Sequence, residues 1–302
     1  MNKAIQFLFF SNYFVGILAI ALSLETAMQL RLPFDSIPYY CCLFCVTVLY
    51  YTYAYIGPVS ANRSLNPRTE WYRENRRFVI NSQRVLSIVC IVCGVYLVYE
   101  NYGHIIQLPL TYWLVLFIAL LAGLLYYGLL PRSFLSINLR KTGWLKAFVI
   151  GFVWACTANV LPLIAVKVEF NYVHAEPFLA VWLFIKNFMF CTVNAIMFDI
   201  KDYTDDANKD LKTFVVRFGL HRTIFFILIP LALVGLASFL IFVFYRGWPI
   251  ASVLFNLIPF VCLLAVAYSL QKQKQILYYL VVIDGLIFLK ALCGIAGMYF
   301  IQ

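Results

Sequence analysis

Charge is scarce in this chain. Of its 302 residues, 12% are Asp, Glu, Lys or Arg and 13 are acids, where about 25% charged is usual in soluble domains. With 64% apolar residues and a mean hydropathy of +0.87, that shortage excludes a soluble domain and makes the chain a polytopic membrane protein. The apolar runs lack alternating polar residues, which excludes a β-barrel and leaves helices, whose backbone amides find partners within the span. No metal-type spacing is shared between two cysteine pairs. The nine cysteines, among them Cys41, Cys42, Cys90, Cys93 and Cys191, therefore read as buried apolar thiols. No low-complexity segment or repeat stands out, so there are no grounds for a linker or a solenoid. The first apolar run has full span length and no small-residue cleavage pattern, and is expected to be a span, not a removable leader.

Crossing about 30 Å of hydrocarbon takes roughly 20 apolar residues. Nine runs qualify, at about 5–24, 39–56, 84–100, 110–130, 145–166, 178–198, 223–245, 250–270 and 276–300, so the expected fold is all-α, one transmembrane domain over 1–302. With the N-terminus inside, 18 of the 23 Lys and Arg fall on the cytoplasmic side; Arg31, Lys167 and Arg246 fall on the other, and Lys186 and Lys290 lie within spans. The positive-inside rule then gives an N-in, C-out topology. The net charge of +10 is mostly this asymmetry and not a nucleic-acid footprint.

Five of the thirteen acids gather within twelve residues. Asp199, Asp202, Asp205, Asp206 and Asp210 follow the sixth run, where the chain leaves lipid for water. Asp199, Asp202 and Asp206 are spaced i, i+3, i+7 and share one helical face, with Asp210 joining if the helix continues. Carboxylates so placed either hold a hard cation such as Mg²⁺, with sites left for phosphate oxygens, or form a solvated helix end interleaved with Lys201 and Lys209.

Asn194, the DxxDxxxD pattern at 199–206 and the run Leu211-Lys212-Thr213-Phe214-Val215-Val216-Arg217-Phe218-Gly219 resemble the second aspartate-rich motif and following helix of the UbiA superfamily of intramembrane prenyltransferases. Tyr126-Tyr127, Leu139-Arg140-Lys141, Gly143-Trp144-Leu145-Lys146 and Gly151 resemble that family's segment between the fourth and fifth spans. The resemblance implies a helical bundle around a central cavity, open sideways to lipid. It implies Mg²⁺ as cofactor, held by Asp199, Asp202 and Asp206, which would then be the catalytic residues, and a polyprenyl diphosphate touched by Arg140 or Lys141. The diphosphate leaves and the allylic cation is captured by an aromatic or other lipid-soluble acceptor, in a water-poor site where fixed charges act strongly. The implied setting is a multi-pass protein of a bacterial inner membrane with its active-site loops cytoplasmic.

The chain departs from the family at the end of the second span. Where the first aspartate motif belongs, it reads Tyr50-Tyr51-Thr52-Tyr53-Ala54-Tyr55-Ile56-Gly57-Pro58, without an acid. The nearest acids, Glu70 and Glu74, sit among Arg73, Arg76 and Arg77 and suit an ion-paired amphipathic helix. Arg63 and Arg68, with Asn62 and Asn66, either bind the diphosphate or a lipid headgroup, since guanidinium forks match phosphate oxygens, or express the positive-inside bias. Tyr51 and Tyr55, four apart, are expected to face the cavity.

Charged groups inside spans are costly and face a cavity or a partner. Lys186 and Asn194 are placed to line one cavity. A Lys186–Asp284 bridge between helices would give Lys186 a structural role, and orienting the acceptor a functional one. Lys290 stands near the middle of the last span, and Glu25 is expected at an interface. Two functions follow: an Mg²⁺-dependent prenyltransferase, or a catalytically impaired relative that binds lipid or serves as a scaffold.

Overall fold

The structure, a computed structural model, describes residues 3–56, 67–129, 139–171, 176–208, 210–272 and 274–301. All regular structure in these residues is helical: α1 (Lys3–Phe10), α2 (Tyr13–Gln29), α3 (Ile37–Ile56), α4 (Pro67–Glu74), α5 (Arg76–Glu100), α6 (Tyr102–Ile106), α7 (Leu110–Tyr127), α8 (Leu145–Phe170), α9 (Pro177–Lys201), α10 (Tyr203–Asn208), α11 (Phe214–Phe218), α12 (Leu220–Arg246), α13 (Ile250–Ser269) and α14 (Ile276–Met298). Eight of these helices are long and apolar enough to cross a membrane, and α1 with α2, bent by 64°, makes up to nine. The protein is a multi-pass membrane protein, as its composition requires.

The helices divide by what surrounds them. In α9, 56% of the most apolar window is buried, against 6% in α5 and in α7. So α9 is the hub, packed on α8 and α12, while α5 and α7 turn their apolar faces outward. Lipid tails are as apolar as leucine, so contacts between spans depend on close backbone approach. Gly151 supplies that between α8 and α9: a Cβ there would lie 2.1 Å from Thr192 Oγ1.

Three spans contain a widened π turn, at 156–160, 224–228 and 279–283. Pro162 and Pro230 follow the first two, and a residue without an N–H leaves a carbonyl one turn back unbonded. The third, in α14, has no proline and ends at Asp284.

The bend between α1 and α2 falls on Asn12, in the left-handed region at φ 65°. Its amide nitrogen donates to Thr52 Oγ1 and to Tyr72 OH, both at 3.1 Å, and its oxygen accepts from Arg68. Arg68 also donates to Phe10 O from Nε and Nη2, at 3.3 and 3.0 Å. A guanidinium thus takes up a carbonyl that the end of α1 would leave without a helical partner.

Candidate functional site at the end of the bundle

The acidic motif lies where α9 stops. Helical geometry continues through Lys201, breaks at Asp202 (φ −93°, ψ 10°) and resumes in α10, with Asp206 N donating to Asp202 O at 2.8 Å. The three aspartates therefore do not extend along one unbroken helix face. Asp199 is 1% exposed and Asp206 6%. Between them stands Lys146, at the start of α8, whose ammonium is 2.8 Å from Asp199 Oδ1 and 3.5 Å from Asp206 Oδ2. Asp202 pairs with Lys201 at 3.1 Å. Among the described residues, no three His, Cys, Asp or Glu side chains gather to hold a metal.

Asp199 and Asp202 border a cavity of about 990 Å³, its open mouth included. The α9 wall adds Asn194, whose Oδ1 is buried without a hydrogen-bond partner. The α3 wall is aromatic: Tyr51 and Tyr55 line it, and Tyr51 OH accepts from Trp154 Nε1 at 2.6 Å. Tyr127 of α7 joins them, with the Arg140 guanidinium 5.6 Å from its ring centre. Arg68 reaches the cavity from α4, its guanidinium 4.6 Å from the centre of the Tyr55 ring. Burial works against the charge on Arg68, but Tyr55, Tyr72 and Asp284 outweigh it and hold the guanidinium above its ordinary range. Asp284 completes the lining from α14.

Of the residues singled out in the sequence, Asp199, Asp202, Arg140, Arg68, Asn194, Tyr51 and Tyr55 all line this cavity. Asp206 is turned to Lys146, and Lys141 lies in an exposed turn beside Arg140. Arg63, with Asn62 and Asn66, lies outside the described residues. Glu70 pairs with Arg73 at 2.7 Å on an exposed helix face.

Lys186 is placed differently from the sequence expectation. It lies in a separate crevice with Trp182, Met189 and Phe260. Its ammonium is 3.6 Å from Glu25 Oε1, while Lys290 is 2.6 Å from Glu25 Oε2. Glu25 is buried, 0% exposed, and takes the place expected for Asp284 as the partner of Lys186. Two cations converge on it because a lone carboxylate in hydrocarbon is far costlier than a paired one. Sequence reasoning gave no role to Lys146 or Asn12. Lys146 stood in the Gly143–Lys146 segment, but nothing in its spacing joins it to residues more than fifty positions away.

One further observation concerns the chain as a whole: the model of the UbiA prenyltransferase family matches residues 75–290, well over half of its length. The chain belongs to the UbiA prenyltransferase family. No curated protein and no solved structure matches it. The match covers α5 through most of α14 and so includes Lys146, the acidic motif and Asp284, whereas α3 and α4, with Tyr51, Tyr55 and Arg68, precede it. UbiA proteins are prenyltransferases that typically use Mg²⁺. Asp199 Oδ2, buried beside the cavity without a hydrogen-bond partner, is the kind of orphaned oxygen such an ion would take. Mg²⁺ needs only one or two protein carboxylates when phosphate and water fill the remaining positions, so Asp199 with Asp202 fits that requirement.

Proposed function

We propose that this UbiA protein transfers a polyprenyl group from its diphosphate to a lipid-soluble or aromatic acceptor. The observation that carries the reading is the buried, unpartnered Asp199 Oδ2 at a cavity that also holds Asp202, Arg140 and Arg68. When bound, Mg²⁺ supplies positive charge to the departing diphosphate. Asp199 and Asp202 would hold it, and Lys146 fixes Asp199 through its other oxygen while tethering Asp206. Arg140 and Arg68, with Lys141 at the mouth, contact the diphosphate; Arg63 is proposed to join them. Tyr51, Tyr55 and Tyr127 make that side of the cavity aromatic and are proposed to limit water around the allylic cation. Asn194 is proposed to orient bound substrate with its spare carbonyl. The Lys and Arg distribution supports a cytoplasmic site with the N-terminus inside, and the setting proposed is a bacterial inner membrane.

Membranes containing the protein are incubated with radiolabelled geranyl, farnesyl or geranylgeranyl diphosphate and a membrane lipid extract, with Mg²⁺ or EDTA. The expected result is a labelled lipid product that EDTA abolishes and that Asp199→Ala lowers at least ~100-fold, as removal of a charge-stabilising group does. No Mg²⁺-dependent product, or one unchanged in Asp199→Ala, overturns the reading.

One observation favours a second reading, a lipid-binding relative without turnover: the α3 wall offers Tyr51, Ala54 and Tyr55 and no carboxylate. In that case farnesyl diphosphate binds and is recovered intact.

A further inference from the structure

Asp284 is an acid of the cavity that neither the metal nor the ion pairs use. Lys146 takes Asp199, Lys201 takes Asp202, and Lys290 takes Glu25. Among the described residues Asp284 has no ion pair within 4.0 Å, and Arg68 and Lys201 are the cations that act on it. It is half-buried on the cavity wall, between the apolar Leu280 and Ile287 of its own helix. The π turn at 279–283 ends at it without a proline to cause the turn, and such turns often accompany functional positions. A carboxylate at this depth is expensive and calls for a function.

We propose, on the prenyltransferase reading, that Asp284 is the general base that receives the acceptor's proton. The C1–O bond of the prenyl diphosphate breaks, and its electron pair leaves with the diphosphate. The acceptor's nucleophilic atom, a ring carbon or a hydroxyl oxygen, donates a pair to C1, and the proton it carried passes to Asp284. Asp284 comes from α14, whereas the Mg²⁺-binding pair comes from the end of α9, so leaving-group departure and proton removal are served by different helices. Without this base the diphosphate still leaves, transfer to the acceptor slows, and the allylic cation persists until water entering at the cavity mouth captures it.

The test uses the full-length wild type, Asp284→Asn and Asp284→Glu in lipid nanodiscs with Mg²⁺, radiolabelled farnesyl diphosphate and a membrane lipid extract. Diphosphate release, labelled farnesol and labelled acceptor product are measured, together with binding of the non-cleaved analogue farnesyl thiodiphosphate. Asp284→Asn is expected to bind the analogue within about twofold of wild type and to keep releasing diphosphate. Its acceptor product falls at least ~100-fold, the scale of general-base catalysis, while farnesol rises; Asp284→Glu recovers part of the transfer. Loss of analogue binding or of diphosphate release in Asp284→Asn overturns the inference, because Asp284 would then serve the diphosphate end. Unchanged transfer overturns it as well. If wild type itself shows no Mg²⁺-dependent release, the prenyltransferase reading fails and the inference with it, an outcome distinct from any difference between variants.

Discussion

Lys146 holds Asp199 at 2.8 Å through Oδ1 and leaves Oδ2 buried and unpartnered. One oxygen of this carboxylate is thus fixed by the fold and the other remains for a ligand. Lys146→Gln leaves two nearby carboxylates without their shared cation, and breaking a buried pair in this way costs about 3–5 kcal/mol. Thermal unfolding in detergent is expected to show a lower midpoint for Lys146→Gln in EDTA, partly restored by millimolar Mg²⁺. Equal midpoints with and without Mg²⁺ would count against a cation at Asp199.

The Glu25 centre leaves no room for a methyl group. A Cβ on Gly294 would sit 2.3 Å from Glu25 Oε1 and 2.7 Å from Gln29 Nε2. Glu25 is held between Lys290 and Lys186 and cannot withdraw cheaply, so Gly294→Ala is expected to destabilise by about 1–3 kcal/mol through overpacking. Glu25→Gln, which strands two buried lysines, is expected to cost more. Detergent-extracted monodisperse yield and unfolding midpoint, compared between the two variants, check this order.

At the opposite end of the bundle, Asp35 lies between α2 and α3, buried, with neither carboxylate oxygen hydrogen-bonded. Glu169 stands near it, accepting from Ser36 N at 2.8 Å and Ser36 Oγ at 2.6 Å. Burial, reinforced by the Glu169 charge, pushes the Asp35 carboxyl from 3.8 up to about 8. The folded state binds this proton more tightly than the unfolded chain, so the group's contribution is full below 3.8 and is lost as pH rises through about 8. Unfolding midpoints measured from pH 5 to 9 should fall across that window in wild type and fall less in Asp35→Asn. Identical slopes would remove Asp35 from the account.

Asn12 combines a left-handed backbone with a side chain that ties α3 and α4 to the bend. Asn12→Gly keeps the backbone and loses the bonds; Asn12→Ala loses the bonds and adds the left-handed penalty of about 1–2 kcal/mol. Asn12→Ala is therefore expected to unfold at a lower midpoint than Asn12→Gly. Both should bind farnesyl thiodiphosphate more weakly than wild type, because Arg68 loses one of its anchors.

The sequence by itself determined that the chain is helical and crosses the membrane many times, since too little charge and too many apolar residues leave no other solution. It also marked Asp199, Asp202 and Arg140, whose motifs carry the family resemblance, and Tyr51 and Tyr55, whose spacing of four puts them on one helix face. It could not pair Glu25 with Lys290, 265 positions away, nor divide the aspartates between a lysine and a cavity. Those choices depend on which helices meet. In hydrocarbon a buried charge needs a partner or a cavity supplied by the packing of distant spans, and that placement has no period along the chain. Only the tertiary structure decided that Lys146 stands between two of the aspartates, that Lys186 turns away from the cavity, and that Asp284 faces into it.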